Sequence, residues 1–248
     1  MREITFFLTS CGRLDLLEQT LDSFFKYNTY PIKRFVITED SCDAAVYEEI
    51  RSKYGDRFDI LCNEQKKGQI KTIVDGYKTI DTEFVFHCED DWEFYRPGFI
   101  EDSIKVLDAE PTILQTWHRS EEDINSSRPK FDLYDHRTVD GVGYRRVKVE
   151  DGWEWGYFSF NPGLKRMSDY HLIGDYGKYK SEIDINVAYR ELGFVNAILD
   201  DDAVKHIGLN RAVHDPTRKW PGRRKSNKPK GLKRLWVHIH RLVTEGKW

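Results

Sequence analysis

The alternation of two hydrophobic periods over residues 4 to 107 is the feature that most constrains this chain. Ile4 to Thr9 is an apolar, β-branched and aromatic run, and Leu14 to Tyr27 then sets Leu14, Leu17, Leu21, Phe24 and Phe25 on one helical face. Strand-like runs at Phe35 to Thr38, Phe58 to Cys62 and Glu83 to Cys88 interleave with helical patterns at Ala44 to Tyr54 and Gln69 to Ile80. Pro97 reads as the first residue of a further helix, ahead of the amphipathic stretch Phe99 to Leu107. Repeated βαβ units of this spacing predict an α/β fold with a largely parallel sheet and helices on both faces. From Thr112 to Tyr179 the regularity gives way to short strand-like pieces rich in Trp, Tyr and His. A helix over Ser181 to Leu192 and a strand over Phe194 to Leu199 follow, and Ala203 to Gly208 leads back toward the sheet edge.

A length of 248 residues with 39% hydrophobic and 33% charged content fits one globular core. No apolar run approaches the roughly 18 residues that cross a bilayer, and the chain enters a strand without a signal-peptide pattern, so the expectation is a cytoplasmic protein. Cys11, Cys42, Cys62 and Cys88 are too widely spaced for a metal knuckle and read as reduced, buried thiols. The net charge of −3 conceals an asymmetry: from Arg218 onward there are eleven Lys or Arg against one acid, so that segment carries +10 and residues 1–217 carry −13.

In sheets of this kind ligands bind beyond the carboxyl ends of the strands, and here those ends carry polar clusters. They are Thr9-Ser10-Cys11-Gly12-Arg13, Glu39-Asp40-Ser41, Asn63-Glu64-Gln65-Lys66-Lys67-Gly68 and Glu89-Asp90-Asp91. Three consecutive acids repel one another unless a cation sits among them. Mg²⁺ or Mn²⁺ suits such a group, because it takes one or two carboxylates together with diphosphate oxygens and water. A solvated acidic turn before Trp92 is the alternative.

This arrangement resembles the family 2 and related GT-A glycosyltransferases, whose fourth strand ends in a DxD-type motif. Glu89-Asp90-Asp91 matches it with Glu in the first place, Thr9 to Arg13 is similar to the turn after the family's first strand, and Glu39-Asp40-Ser41 resembles its Asp-Asp-Gly-Ser without the Gly. Asn63, Lys67-Gly68 and Asp75-Gly76 match the third element. The likeness covers residues 3 to 108 well and 150 to 208 loosely. It implies a Rossmann-like nucleotide-diphospho-sugar transferase with a mixed central sheet flanked by helices, forming a single domain over 1–217. Residues 1–110 would be its nucleotide-sugar half, 111–217 its acceptor half, and 218–248 a basic tail.

The resemblance also implies roles. Thr9, Arg13 and Glu39 or Asp40 would line the nucleoside pocket, with Lys67 and Gly68 holding base, ribose or diphosphate beside Glu89 and Asp90. Asp91, Glu89 and His206 would hold the metal, with Mn²⁺ preferred over Mg²⁺ if His206 is a ligand. Lys67, Arg13 and His206 each have an ordinary alternative as a solvated lysine, a helix-start arginine and a strand-end histidine. The donor would be a nucleotide-sugar, most commonly a UDP-sugar for this resemblance, and the acceptor a glycan or glycoconjugate hydroxyl. Inverting transfer needs a carboxylate base. In Ser181 to Phe194 the family pattern matches at Asp184, Arg190 and Gly193 but has Ile183 where a Glu is usual. Asp184 is therefore the base by register and the preferred reading, with Glu182 the candidate by chemistry, or both serve the helix dipole alone.

Gly152-Trp153-Glu154-Trp155-Gly156-Tyr157 offers flat surfaces for a sugar or the buried face of a strand, and Trp92 and Trp117 are core or pocket wall. The tail, with Arg223-Arg224-Lys225 and Lys233-Arg234 among Trp220, Leu232, Leu235 and Trp236, suits an anionic membrane surface or the acidic body, and no nucleic-acid partner is expected. A sugar-nucleotide nucleotidyltransferase is disfavoured, because no Gly-rich loop for a triphosphate follows the first strand. A noncatalytic carbohydrate-binding protein of the same fold, and retaining chemistry, both stay open.

Overall fold

Residues 1–126, 131–149 and 155–209, with Arg211 and Val213, are described by the computed structural model. Trp153 and Glu154 of the aromatic stretch and the basic segment 218–248 lie outside the described residues. The elements run β1 (Ile4–Ser10), α1 (Leu14–Tyr27), β2 (Arg34–Glu39), α2 (Ala44–Tyr54), β3 (Asp59–Cys62), α3 (Gln69–Tyr77), β4 (Phe84–Glu89), β5 (Trp92–Phe94), α4 (Phe99–Ala109) and β6 (Ile113–Trp117). They continue through α5 (Glu121–Ile124), β7 (Phe131–Val139), β8 (Val142–Val149), β9 (Gly163–Arg166), α6 (Met167–Ile173), α7 (Glu182–Glu191), β10 (Val195–Leu199) and β11 (Val204–His206). Helices α1 and α2 have the predicted bounds, and α3 closes three residues early, where Thr79 and Ile80 N–H groups turn back onto Gly76 and Tyr77 carbonyls.

The main sheet has the order β3-β2-β1-β4-β9-β6-β10-β8-β7. Strands β3, β2, β1 and β4 are parallel, β9 runs antiparallel between β4 and β6, and β10 is parallel to β6. The sheet is thus mixed, with its parallel half on the N-terminal side. The pleat sends Phe6 and Phe7 to opposite faces: Phe6 meets Phe24 of α1 at 4.1 Å between centroids, and Phe7 meets Tyr77 of α3 at 5.1 Å. One buried layer gathers Phe6, Phe24, Phe86 and Phe99, the other Phe7, Ile73, Tyr77, Tyr176 and Tyr189. Gly76 is needed for the second layer, because a Cβ there would fall within the Phe7 ring. Trp92 and Trp117 are both buried core residues.

Two expectations change. Pro97 lies outside the helix it was expected to open: Gly98, at φ +81°, is the N-cap and Phe99 the first helical residue. All four cysteines are free, but Cys88 alone is buried. Cys42 is exposed and Cys11 half-buried, since both lie in loops beyond their strands. No helix among the described residues is long and apolar enough to cross a membrane.

Candidate active site

Strand β4 carries the acidic triplet to the rim, and its three members have three different surroundings. Asp90 is buried and accepts from Ser10 Oγ at 3.1 Å, Cys11 N at 3.4 Å and the Arg13 guanidinium. Burial pushes its carboxyl up to about 6 against the opposing pull of Arg13. Asp91 accepts from Arg13 Nη1 at 2.7 Å and lies 3.3 Å from His206 Nε2. Burial disfavours its charge, but His206 and Arg13 outweigh burial and hold the carboxyl below the ordinary range. The two-stranded ladder of β5 and β11 places His206 opposite Trp92, with the rings 5.0 Å apart, and Ile207 N donates to the Asp91 carbonyl at 2.9 Å. Gly208 then passes directly over Asp91: a Cβ there would stand 2.7 Å from Asp91 Cβ.

The neighbouring strand ends build the other wall. Thr9 stands between Thr38 and Glu89 in the ladder. Glu39 Oε1 accepts from Gly12 N at 2.9 Å and Ser41 N at 2.8 Å, while its Oε2 is buried with no partner among the described residues. Asp40 is engaged by the chain itself, taking Asn63 Nδ2 and Lys67 N on one oxygen and Gly68 N on the other. It fixes the turn that opens α3. The Lys67 ammonium pairs with Asp75 at 2.7 Å.

Glu89 turns away from Asp91's partners and accepts from Gln69 Nε2 at 2.7 Å. Burial, with Asp91 and Glu182 as negative neighbours, pushes it up to about 8. Glu182 thus belongs to the rim, and α7 explains why. Residues two apart on a helix face opposite sides, whereas 182, 185, 186 and 189 share one stripe. Ile185, Asn186 and Tyr189 are buried, and Glu182 shares their side, accepting from Trp155 Nε1 at 3.0 Å and Phe160 N at 3.4 Å. Its carboxyl is raised by burial. Asp184 is placed apart: it pairs with Ser181, which caps the helix, and it lines a surface groove of about 720 Å³ with Leu172, Tyr179, Lys180 and Val187.

Asn186, which no motif singles out, holds the 155–160 segment against α7. Its Oδ1 accepts from Gly156, Tyr157 and Phe158 N–H groups at 2.7 to 2.8 Å, and its Nδ2 donates to Phe158 and Glu182 carbonyls at 2.9 Å. Asn186→Ala strands three buried donors, so a loss of roughly 3 kcal/mol is expected, read as a lower urea midpoint at unchanged m-value.

Among the described residues no three His, Cys, Asp or Glu side chains are grouped to hold a metal ion alone. Asp91 and His206 nonetheless fit a shared cation. Their 3.3 Å separation is close to the roughly 3 Å between adjacent ligands of an octahedral ion with bonds near 2.1 Å, and a diphosphate completes such a site.

No protein-family model matches the sequence, and no curated protein does. Solved structures are similar in fold. The mannosyltransferase PcManGT from Pyrobaculum calidifontis, in complex with GDP-Man and Mn²⁺, superposes with a TM-score of 0.60 at 12% identity, over 85% of this chain and 58% of that one. The chain has the GT-A fold. The same GT-A fold is found in S. aureus TarS 1-349 in complex with UDP-GlcNAc, with a TM-score of 0.52 at 14% identity over 85% of this chain and 62% of that one. GalNAc-T7 with UDP, GalNAc and Mn²⁺ gives 0.57 at 12% identity, over 99% of this chain and 48% of that one. This chain therefore spans about half to three-fifths of the length of these GT-A structures.

Proposed function

We propose that this protein is a divalent-metal-dependent glycosyltransferase that moves a sugar from a nucleoside-diphosphate donor to a hydroxyl acceptor, with Glu182 as the general base. The reading is supported by the Asp91–His206 pair at the strand ends of a GT-A fold and by Glu89 of the same triplet, which has both Asp91 and Glu182 as negative neighbours, with the Glu182 carboxylate accepting from Trp155. The structures of PcManGT and GalNAc-T7 carry nucleotide or nucleotide-sugar together with Mn²⁺, in support of that assignment.

Asp91 and His206 would hold the ion, which when bound offsets negative charge on the departing diphosphate. Arg13 bridges Asp90 and Asp91 with its guanidinium and would bring positive charge toward the same diphosphate. The free Oε2 of Glu39 is an acceptor for a nucleoside N–H or ribose hydroxyl, and Asp40 shapes the Lys67–Gly68 turn. On the other side Glu182 takes the acceptor hydroxyl proton as the oxygen attacks the anomeric carbon and the C–O bond to diphosphate breaks, which inverts the centre. Trp155 fixes Glu182 through its indole N–H and offers a flat ring beside it.

Calorimetric titration of GDP-mannose and UDP-N-acetylglucosamine, with Mn²⁺ and again with chelator, tests the donor site. Metal-dependent binding of one of them, followed by release of its nucleotide, is expected. Metal-dependent binding without any release would favour a noncatalytic binding protein, and silence from both donors would overturn the proposal.

A further inference from the structure

Below the rim, three buried nitrogen atoms end without a hydrogen-bond partner among the described residues. They are Lys165 Nζ, His87 Nε2 and Gln115 Nε2. Their residues are 3%, 0% and 0% exposed. The sheet sets them side by side: β9 lies between β4 and β6, Lys165 is opposite both Val85 and Gln115, and His87 is opposite Gly163. Phe158 lies over the ammonium at 5.4 Å and Phe160 faces His87 at 5.3 Å, so the group is walled by rings. His87 Nδ1 is taken by Tyr77 at 2.9 Å.

The same segment links this chamber to the proposed base. Gln115 Oε1 accepts from Ser159 N at 3.3 Å, and Glu182 Oε1 accepts from the next N–H, that of Phe160. A buried ammonium without a hydrogen-bond acceptor is costly, and a buried polar cluster with two donors near a carboxylate is where an internal water is retained. Lys165 and Gln115 would donate to such a water, which in turn donates to Glu182. The titratable groups on the Lys165 side of the sheet are Glu182 from α7 and Glu89 and His87 from β4, Cys88 lies on the opposite face, and β6 contributes the neutral Gln115. Lys165 is the cation that opposes Glu182's neutralisation by burial.

We propose that Lys165 is a positioning residue for Glu182, acting through a buried water shared with Gln115 that keeps the carboxylate ionised and aimed at the acceptor. This rests on the transfer reading above. Burial draws the Lys165 ammonium down to about 7 while Glu182 and Glu89 sustain its charge, in keeping with a pair whose two charges depend on each other.

The test is Mn²⁺-dependent nucleotide release from whichever of GDP-mannose or UDP-N-acetylglucosamine the wild type turns over, measured across pH. Lys165→Met is expected to lower kcat roughly 10- to 100-fold at neutral pH, leave KM for the donor within about twofold, and move the acid limb of the kcat profile upward by about one pH unit or more. Lys165→Ala should regain activity with n-propylamine and not with n-propanol, which a role in packing alone does not predict. Wild-type kcat and limb in Lys165→Met, or equal effects of amine and alcohol on Lys165→Ala, would overturn the role of Lys165 while leaving transfer intact. A wild type that releases no nucleotide would overturn the transfer reading and this inference with it.

Discussion

Asp91→Ala is expected to abolish metal-dependent donor binding and to lower nucleotide release by several kcal/mol of transition-state stabilisation, on the order of 10³-fold. The reason is local. Asp91 is the triplet member whose carboxylate faces His206, and among the three its charge is the one its partners hold in place. Asp90 is consumed by Arg13, Ser10 and Cys11, and Glu89 by Gln69. The variant should fold, since Arg13 keeps its grip on Asp90 when Asp91 is truncated. Gly208→Ala provides an independent route to the same outcome. Its new Cβ would overlap Asp91 Cβ and Cγ, at 2.7 and 2.8 Å, and must push the carboxylate away from His206 without removing any charge. Calorimetry with Mn²⁺ should therefore show both variants losing affinity, and a Gly208→Ala protein with unchanged metal dependence would mean that Asp91's position does not matter.

The parallel half of the fold is legible because β1, β2 and β4 are largely buried and α1 and α3 each show one apolar stripe. The period changes are plain from Ile4 to Leu107, and the strand ends name the rim. The second half is harder for physical reasons. The β7–β8 hairpin turns at Asp140-Gly141, with φ of +46° and +81°, an Asp-Gly pair suited to a two-residue turn. The strands around it hide that signal: β7 is mostly exposed and reads as a charged loop through Asp135-His136-Arg137. Strand β9 is masked differently, because Lys165 and Arg166 put two charges into a buried strand of four residues. Asn186 takes its importance from backbone N–H groups 28 to 30 residues away, and Lys165 stands out by lacking a hydrogen-bond partner among the described residues, which no local pattern carries. The placement of Glu182 on one stripe with Ile185, Asn186 and Tyr189 is legible through helical spacing. A family register anchored on Arg190 favours Asp184 instead, whose contacts lie on the groove side of α7.

That spacing leads to the second large effect. Glu182→Gln is expected to lower kcat for transfer roughly 10²- to 10⁴-fold, the span of a lost general base, with little change in donor affinity because the proposed donor contacts are on the β1, β2 and β4 ends. Glutamine keeps the Trp155 and Phe160 hydrogen bonds through its carbonyl oxygen, so a fall in activity reports the lost basicity and not a displaced loop. The pH profile supplies the sign. Burial raises Glu182 above the ordinary glutamate range, against the opposing pull of the Trp155 and Phe160 hydrogen bonds and of Lys165. The base works only when ionised, so activity should climb about tenfold per pH unit below its pKa, level off above it, and place that bend higher than an exposed glutamate would. In Glu182→Gln the limb should vanish along with the rate. Asp184→Asn is the matched control: its side chain faces Ser181 and the groove, so kcat within about threefold of wild type is expected, and a collapse there with an active Glu182→Gln protein would return the base to Asp184.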